Sequence, residues 1–400
     1  MKYLNIFFIL LILLVSCNKG LELNDYVPNQ MIQVSFNDTK KQIDSLINKI
    51  DDVNLISLEI DSTFILSGSP QMRVTSEHIY IFDRMMQEIH GFSKTGKYLF
   101  KINHHGRGPG EYVQASNFSL TNNSDISIYD QARGKILVFA KNGNFLNEKK
   151  IDCGADNVAF LNDSLYVAYA KNLTLFDKNK NCIRIINAKG ETIKTFLNLP
   201  KWITNSSKIQ ATGSNFTYWK LSPRLVIPWS NFIFSVSPDS VFCNYKVDFG
   251  NHNIPESFLV ENESRIQNDR QGLIRQIFQN DWAFFLDFFQ ESSNYVFFQF
   301  IKNKDIYYTL FDKKEKEAFS AKFLSLPPEW GLIIKPFLCS NEDTFYSLVS
   351  VGQMNLFIQI KELSDLRLLK IQSQYKKYIN NIEDDLNEED QILLSFKMKS

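Results

Sequence analysis

Histidine is scarce in this sequence: five in 400 residues, and only His104 and His105 are neighbours. Cysteine is equally scarce, five in all, with no Cys-x-x-Cys pair. Cys153, Cys182, Cys243 and Cys339 lie far apart and do not cluster with histidine. A zinc site needs its nitrogen and sulfur ligands in local pairs, so this pattern argues against one, and the reading is no metal and no cofactor. Neither sign of charge is in excess, with 44 Lys and Arg against 44 Asp and Glu. A nucleic-acid partner needs a basic stripe and is excluded on that ground. After residue 15 no second long apolar run occurs, so the body of the chain is expected to be soluble. There is no Gly-x-Ser-x-Gly, no His-Glu-x-x-His, and no Gly-Lys-Ser/Thr to cradle a phosphate. The cysteines themselves read as small buried residues on strands, although an exported compartment would permit disulfides.

What is present begins at the N-terminus. Lys2 precedes an uncharged run from Ile6 to Val15. Ten residues rising ~1.5 Å each cannot cross a ~30 Å hydrocarbon core, so the run reads as a signal segment. It ends Leu14-Val15-Ser16-Cys17, which resembles a bacterial lipobox. That resemblance implies cleavage before Cys17, which then carries acyl chains and anchors the chain to a membrane. Residues 1–16 are then the signal peptide and residues 17–36 a lipidated polar tether. Removing residues 1–16 takes away one charge, Lys2, and leaves the mature protein near −1.

The body, residues 37–400, repeats itself. Alternating apolar strands end in an aromatic and an aspartate at Phe82-Asp83, Tyr129-Asp130 and Phe176-Asp177, and a glycine turn follows at Gly96, Gly143 and Gly190. Both markers step by 47 residues, twice. A period near 45 with about four short strands per unit is the signature of a β-propeller, because one sheet buries both faces only by stacking on others around an axis. The aspartates are expected to cap turns and the glycines to take positive φ. Further units are expected around residues 240, 310 (with Phe311-Asp312) and 350, the last as a hairpin over Glu342–Ile360. The fold class is therefore all-β, a six-bladed β-propeller in a single domain. Accessory helices are expected near 38–50, 256–289 and 364–384. The strand near Ile392–Phe396 is expected to pair with Asn54–Ile60 and close the ring.

The lipobox, "GRGPGEY" at Gly106–Tyr112, "YKVDFG" at Tyr245–Gly250 and the ending "EEDQILLSFKMK" together resemble the 6-bladed β-propeller lipoproteins of Bacteroidota, relatives of the NHL-repeat propellers. The likeness covers nearly the whole mature chain. It implies an exported, lipid-anchored propeller of the cell envelope, placed at the outer membrane, with either face open. It implies no reaction. NHL-like lyases hold metal with histidines from several blades, an arrangement five histidines hardly supply.

The chain is accordingly read as a binding or scaffolding module with a protein or glycan partner, and as no enzyme. The competing classes are a carbohydrate-capture lipoprotein using Trp219 or Trp229, expected at a propeller mouth, and a lyase or hydrolase at the central channel. The segment "HHGRGPGEY" (His104–Tyr112) reads as a tight bend between blades. Later junctions lack it, so His104, His105, Arg107 and Glu111 are the candidate ligand or partner contacts.

Overall fold

The computed structural model describes residues 22–37, 39–59, 66, 70–170, 181–204, 215–227, 229–381 and 387–400. The signal segment, Cys17 and the expected turn at Asp177 lie outside the described residues.

Two early strands, β1 (Gln30–Gln33) and β2 (Ile50–Ile56), belong to sheets completed much later in the chain. Sheet I is β3 (Gln71–Val74), β4 (His78–Asp83), β5 (Glu88–Ser93) and β6 (Tyr98–Ile102). Sheet II is β7 (Ala115–Leu120), β8 (Ile126–Asp130), β9 (Lys135–Phe139) and β10 (Phe145–Lys150). Sheet III is β11 (Asn157–Asn162), β12 (Leu165–Tyr169), β13 (Asn181–Asn187) and β14 (Thr192–Asn198). Sheet IV is β15 (Phe216–Trp219), β16 (Ser222–Val226), β17 (Phe232–Val236) and β18 (Val241–Asp248), with β1 added in parallel. Sheet V is β19 (Ala283–Glu291), β20 (Tyr295–Lys302), β21 (Asp305–Asp312) and β22 (Glu317–Lys322). Sheet VI is β23 (Cys339–Asn341), β24 (Thr344–Ser350) and β25 (Gln391–Met398), with β2 outermost.

Strand periodicity explains why the sheets stack. Successive side chains leave opposite faces, so Tyr80 and Phe82 pack toward sheet II while Ile79 and Ile81 pack toward sheet VI. Leu137 and Phe139 meet sheet I, whereas Ile136 and Val138 meet sheet III. Phe298 and Phe300 join sheet IV, and Tyr295 and Phe297 join sheet VI. An apolar layer fills each of the six seams. The first strands touch in a closed cycle: β3 on β7, β7 on β11, β11 on β15, β15 on β19, β19 on β23, and β23 back on β3. The arrangement is propeller-like.

The chain ends meet as expected, four residues earlier than read: β2 pairs with β25, with Val53 opposite Phe396. The residues before it were expected to be a free tether up to 36, but they pack onto the rim. Leu23, Ile32 and Val34 are buried. Glu22 bridges Asn198 at the edge of sheet III, β1 lines sheet IV, the helix Thr39–Asn48 lies on β22 of sheet V, and β2 completes sheet VI. This belt covers four outer edges in succession. Edges β6 and β10 keep no strand neighbour among the described residues.

The repeat glycines perform two jobs. Gly96 and Gly190 have φ of +91° and +89°, which L side chains rarely adopt. A Cβ on Gly190 would also overlap the carbonyl oxygen of Lys150 on the preceding sheet, and one on Gly96 that of Ser57. Each turn is latched there: Asp152 N donates to Gly190 O at 2.9 Å, and Glu59 N to Gly96 O at 2.8 Å.

Three expectations need correction. Asp83 caps its own turn, accepting from Met85 N and Met86 N. Asp130 instead accepts from Val113 N and Gln114 N on the incoming connection. Asp312 caps a turn like Asp83, but it ends the third strand of its sheet rather than the second, so it is no member of the 47-residue series. The expected hairpin at 342–360 is β24 followed by a helix, Val351–Ile358. Ser350 and Gln353 form a capping box, and Val351, Met354 and Phe357 then fall on one buried helical face. The other expected helices stand at Thr39–Asn48, at three short helices within Glu256–Gln279, and at Leu366–Asn380.

Gly190→Ala is expected to lower the unfolding free energy by about 2 kcal/mol or more in urea titration, since both φ and packing oppose it; a change under about 0.5 kcal/mol would contradict the latch. Asp312 supplies a pH test. Burial alone would raise its pKa, but Lys49 Nζ at 2.8 Å and the N–H groups of Glu315 and Lys314 hold it below the ordinary carboxylate value. Its stabilisation is present above about pH 4 and is lost as the pH falls through the depressed folded value. Asp312→Asn should therefore flatten the acid limb of the stability–pH curve.

Candidate functional site

The connection from β6 to β7 carries the glycine-rich segment. Its backbone folds on itself: Tyr112 N donates to His104 O at 2.8 Å, and Gly106 N to Tyr112 O at 3.0 Å. The Glu111 carboxylate turns inward and accepts from Gly108 N at 2.7 Å. A Cβ on Gly106 would overlap that carboxylate. Gly110 N donates to Glu148 Oε2 on β10 at 2.9 Å, Arg133 donates to Arg107 O at 2.7 Å, and the buried Tyr112 hydroxyl donates to Gln87 O. The loop is thus held by both sheets of the seam it crosses.

The predicted contacts divide. His104 packs its ring edge on Phe139, and His105 Nε2 sits 3.2 Å from Met86 O. Glu111 works inside the loop. Arg107 projects exposed, as do His105 and Pro109. Around them the uncovered edges present apolar side chains: Tyr98 and Leu99 on β6, Phe145 and Leu146 on β10, and Met85, 74 % exposed, on the β4–β5 turn.

A second feature lies at the opposite end of the inner strands. A cavity of about 400 Å³ opens on the ring axis, lined by the ends or first turns of the inner strands of sheets I, II, IV, V and VI. Its floor is Arg73, 9 % exposed, which also lines a cavity of about 40 Å³ on the far side and so stands as the septum between the two. Arg73 donates to Met72 O at 2.8 Å and across the axis to Phe216 O at 3.2 Å. Its guanidinium carbon sits 5.4 Å from the Phe118 ring centre and 5.1 Å from that of Tyr218. Its Nε has no hydrogen-bond partner, and no described carboxylate pairs with it. Burial draws its pKa down from the ordinary value. The axis around it is polar: Asn117 exchanges two bonds with Val158, Ser119 accepts from Phe160 N, and Asn157 donates to Asn215.

Trp219 is half-buried at the mouth, with Lys220 and Lys313 ammonium groups 5.3 and 4.9 Å from its ring centre. Trp229 was expected there too, but it is buried against Phe284 and away from the axis, because its segment turns back into the seam of sheets III and IV. Beside the mouth, buried Glu291 accepts from Arg224 at 2.6 Å, Lys313 at 2.7 Å and Tyr245 at 2.8 Å, tying sheet IV to sheet V. Cys339, also at the mouth, is a free thiol whose pKa burial pushes up to about 12. Among the described residues no group of three or more His, Cys, Asp or Glu could hold a metal ion. Also among them, no helix is long and apolar enough to cross a membrane.

Sequence reasoning missed Arg73. The signal was available: Gln71 and Arg73 alternate with apolar Met72 and Val74 in a strand otherwise built for burial.

A family model described as "Domain of unknown function (DUF4934)" matches residues 31–396. No curated protein matches the chain. Among solved structures, a putative exported protein from Bacteroides fragilis is similar at 17 % identity and a TM-score of 0.71, covering 92 % of this chain and 99 % of that one. That level of identity speaks to the fold alone. Weaker likenesses, which carry no argument, are a member of the duf4221 family from Bacteroides vulgatus (10 % identity, TM-score 0.48, covering 88 % and 99 %) and a virginiamycin B lyase from Staphylococcus aureus (10 % identity, TM-score 0.43, covering 87 % and 100 %).

Asp130→Asn is expected to cost about 1–3 kcal/mol, because Val113 N and Gln114 N donate to different carboxylate oxygens and the amide would set its NH2 group against one of these donors. Urea unfolding measures this, and a loss below about 0.5 kcal/mol would show that the connection does not depend on that carboxylate.

Proposed function

We propose, from the premise that this chain belongs to the DUF4934 family, that it is a six-bladed β-propeller lipoprotein. In this reading Cys17 carries the lipid anchor at the outer membrane, and the propeller is a binding or scaffolding module for a protein partner. The closed cycle of six inner strands supports the blade count. The lipobox supports the anchor. The description of the Bacteroides fragilis relative as an exported protein is consistent with an envelope address.

One observation carries the binding reading: the seam of sheets I and II. Its outer edges alone are left without a strand or helix across them among the described residues, Glu59 meeting β6 only at Tyr98 N, and they expose tyrosine, leucine and phenylalanine, with Met85 exposed on the β4–β5 turn. Exposed apolar side chains grouped beside polar ones mark contact surfaces more than solvent faces. The loop above them is held by hydrogen bonds from two sheets, so Arg107 and His105 are offered from a fixed backbone. Presentation on a rigid support limits the ordering cost of binding. Arg107 is the proposed anchor, His104 and His105 flank it, and Glu111 sets the loop's shape.

Two measurements test this. Cys17→Ser should move the protein from the membrane pellet to the soluble fraction; full retention in the pellet would end the lipoprotein reading. Cross-linked capture from native envelopes should lose its main partner at least ~10-fold in Arg107→Ala, the size of an interface hot spot, with an unchanged thermal midpoint. Undiminished capture of every partner would remove the loop from the interface.

A further inference from the structure

We propose that the axial mouth is a second binding site, distinct from the rim, and that it takes a small oxyanionic group (carboxylate, sulfate or phosphate) on Arg73. A guanidinium stays protonated at every physiological pH, so its burial must be compensated. Here the compensation is partial. Two carbonyl oxygens and two aromatic faces surround Arg73; the buried Asp287 lines the small cavity on its far side, and no described carboxylate forms an ion pair with the guanidinium. Buried arginines that only fasten structure are normally paired with an acid, as Arg224 is with Glu291.

The surroundings are cationic on balance. Lys220 and Lys313 stand at the rim over Trp219, and Lys94 lies behind the wall, bonded to Thr75 O and the Tyr346 hydroxyl. Glu291 is already shared by Arg224 and Lys313. The lining holds one carboxylate, the exposed Glu342. Thr75, Thr121, Ser124, Gln290 and Ser340 supply further polar groups around the cavity. Two lysines over the indole also oppose the stacking of a neutral sugar on Trp219. Concave walls of low dielectric focus such a positive field onto the floor.

The test uses the full chain in detergent micelles, titrated calorimetrically with sodium acetate, sulfate and phosphate separately at constant ionic strength. At least one should saturate with one site per chain, and which one does so distinguishes the three chemistries. Arg73→Met should weaken that binding at least tenfold. Leu221→Glu, which places an acid on an exposed rim residue without touching the floor, should weaken it about threefold at low salt. The proposal is overturned if none of the three saturates, or if Arg73→Met binds as the parent does. Should Arg73→Met fail to fold, Leu221→Glu decides, and unchanged affinity in that variant rejects the site.

Discussion

A ring of sheets must close, and the closure here rests on pairing β2 with β25, residues more than three hundred apart in sequence. Without that ladder β25 would be a bare edge, and sheet VI would be three strands tied to the N-terminal part of the chain by no backbone pairing. The outer side of β2 is guarded in turn. Leu55 N donates to Gln374 on the helix Leu366–Asn380, Arg367 reaches Ile47 O and Ile50 O, and Lys370 pairs with Asp52. An edge strand covered by a helix cannot template another chain. The same N-terminal belt covers sheets III, IV and V on its way, so closure and edge protection are one device. The two sheets it leaves uncovered are those at which the glycine-rich loop stands.

The ring also fixes where chemistry can sit. The seams are apolar, and polar groups gather on the axis and at the two ends. On the axis they bind one inner strand to the next, as Asn117 does with Val158. Arg73 exceeds that need. Its charge is large for the few partners it has, and the open cavity lies on its solvent side. The glycine-rich loop differs in kind: its one acid, Glu111, is turned inward onto Gly108 N, Arg133 of sheet II holds the Arg107 carbonyl, and what the loop offers outward is a basic side chain on fixed backbone.

How much of this could be read in the sequence depended on whether a feature was local. The first three units were legible because a turn glycine with positive φ and an aspartate ending a strand recur at one interval. The glycine also answers to a neighbour, the Lys150 carbonyl at Gly190, a cause no single unit displays. The later units blurred for physical reasons. Asp312 makes the same turn chemistry one strand further on, and Ser350 with Gln353 starts a helix where alternation suggested a hairpin. The belt was hidden because β1 is four residues, Gln-Met-Ile-Gln, whose strand character comes from β18 beside it. Trp229 resembled Trp219 in composition, and only the packing against Phe284 separates them. Arg73 went unremarked because the alternation of Gln71 and Arg73 with Met72 and Val74 marks a strand with one polar face, and only its place on the axis makes that face buried.

Native-state hydrogen exchange on β2 tests the closed ring most directly. The account predicts that the amides of Asn54 and Ile56, which face β25 while those of Val53 and Leu55 turn outward to Asp52 and Gln374, exchange only through global unfolding, with the same opening free energy as the central amides of β24. Exchange of β2 through a local opening, some 3 kcal/mol or more below the global value, would contradict it.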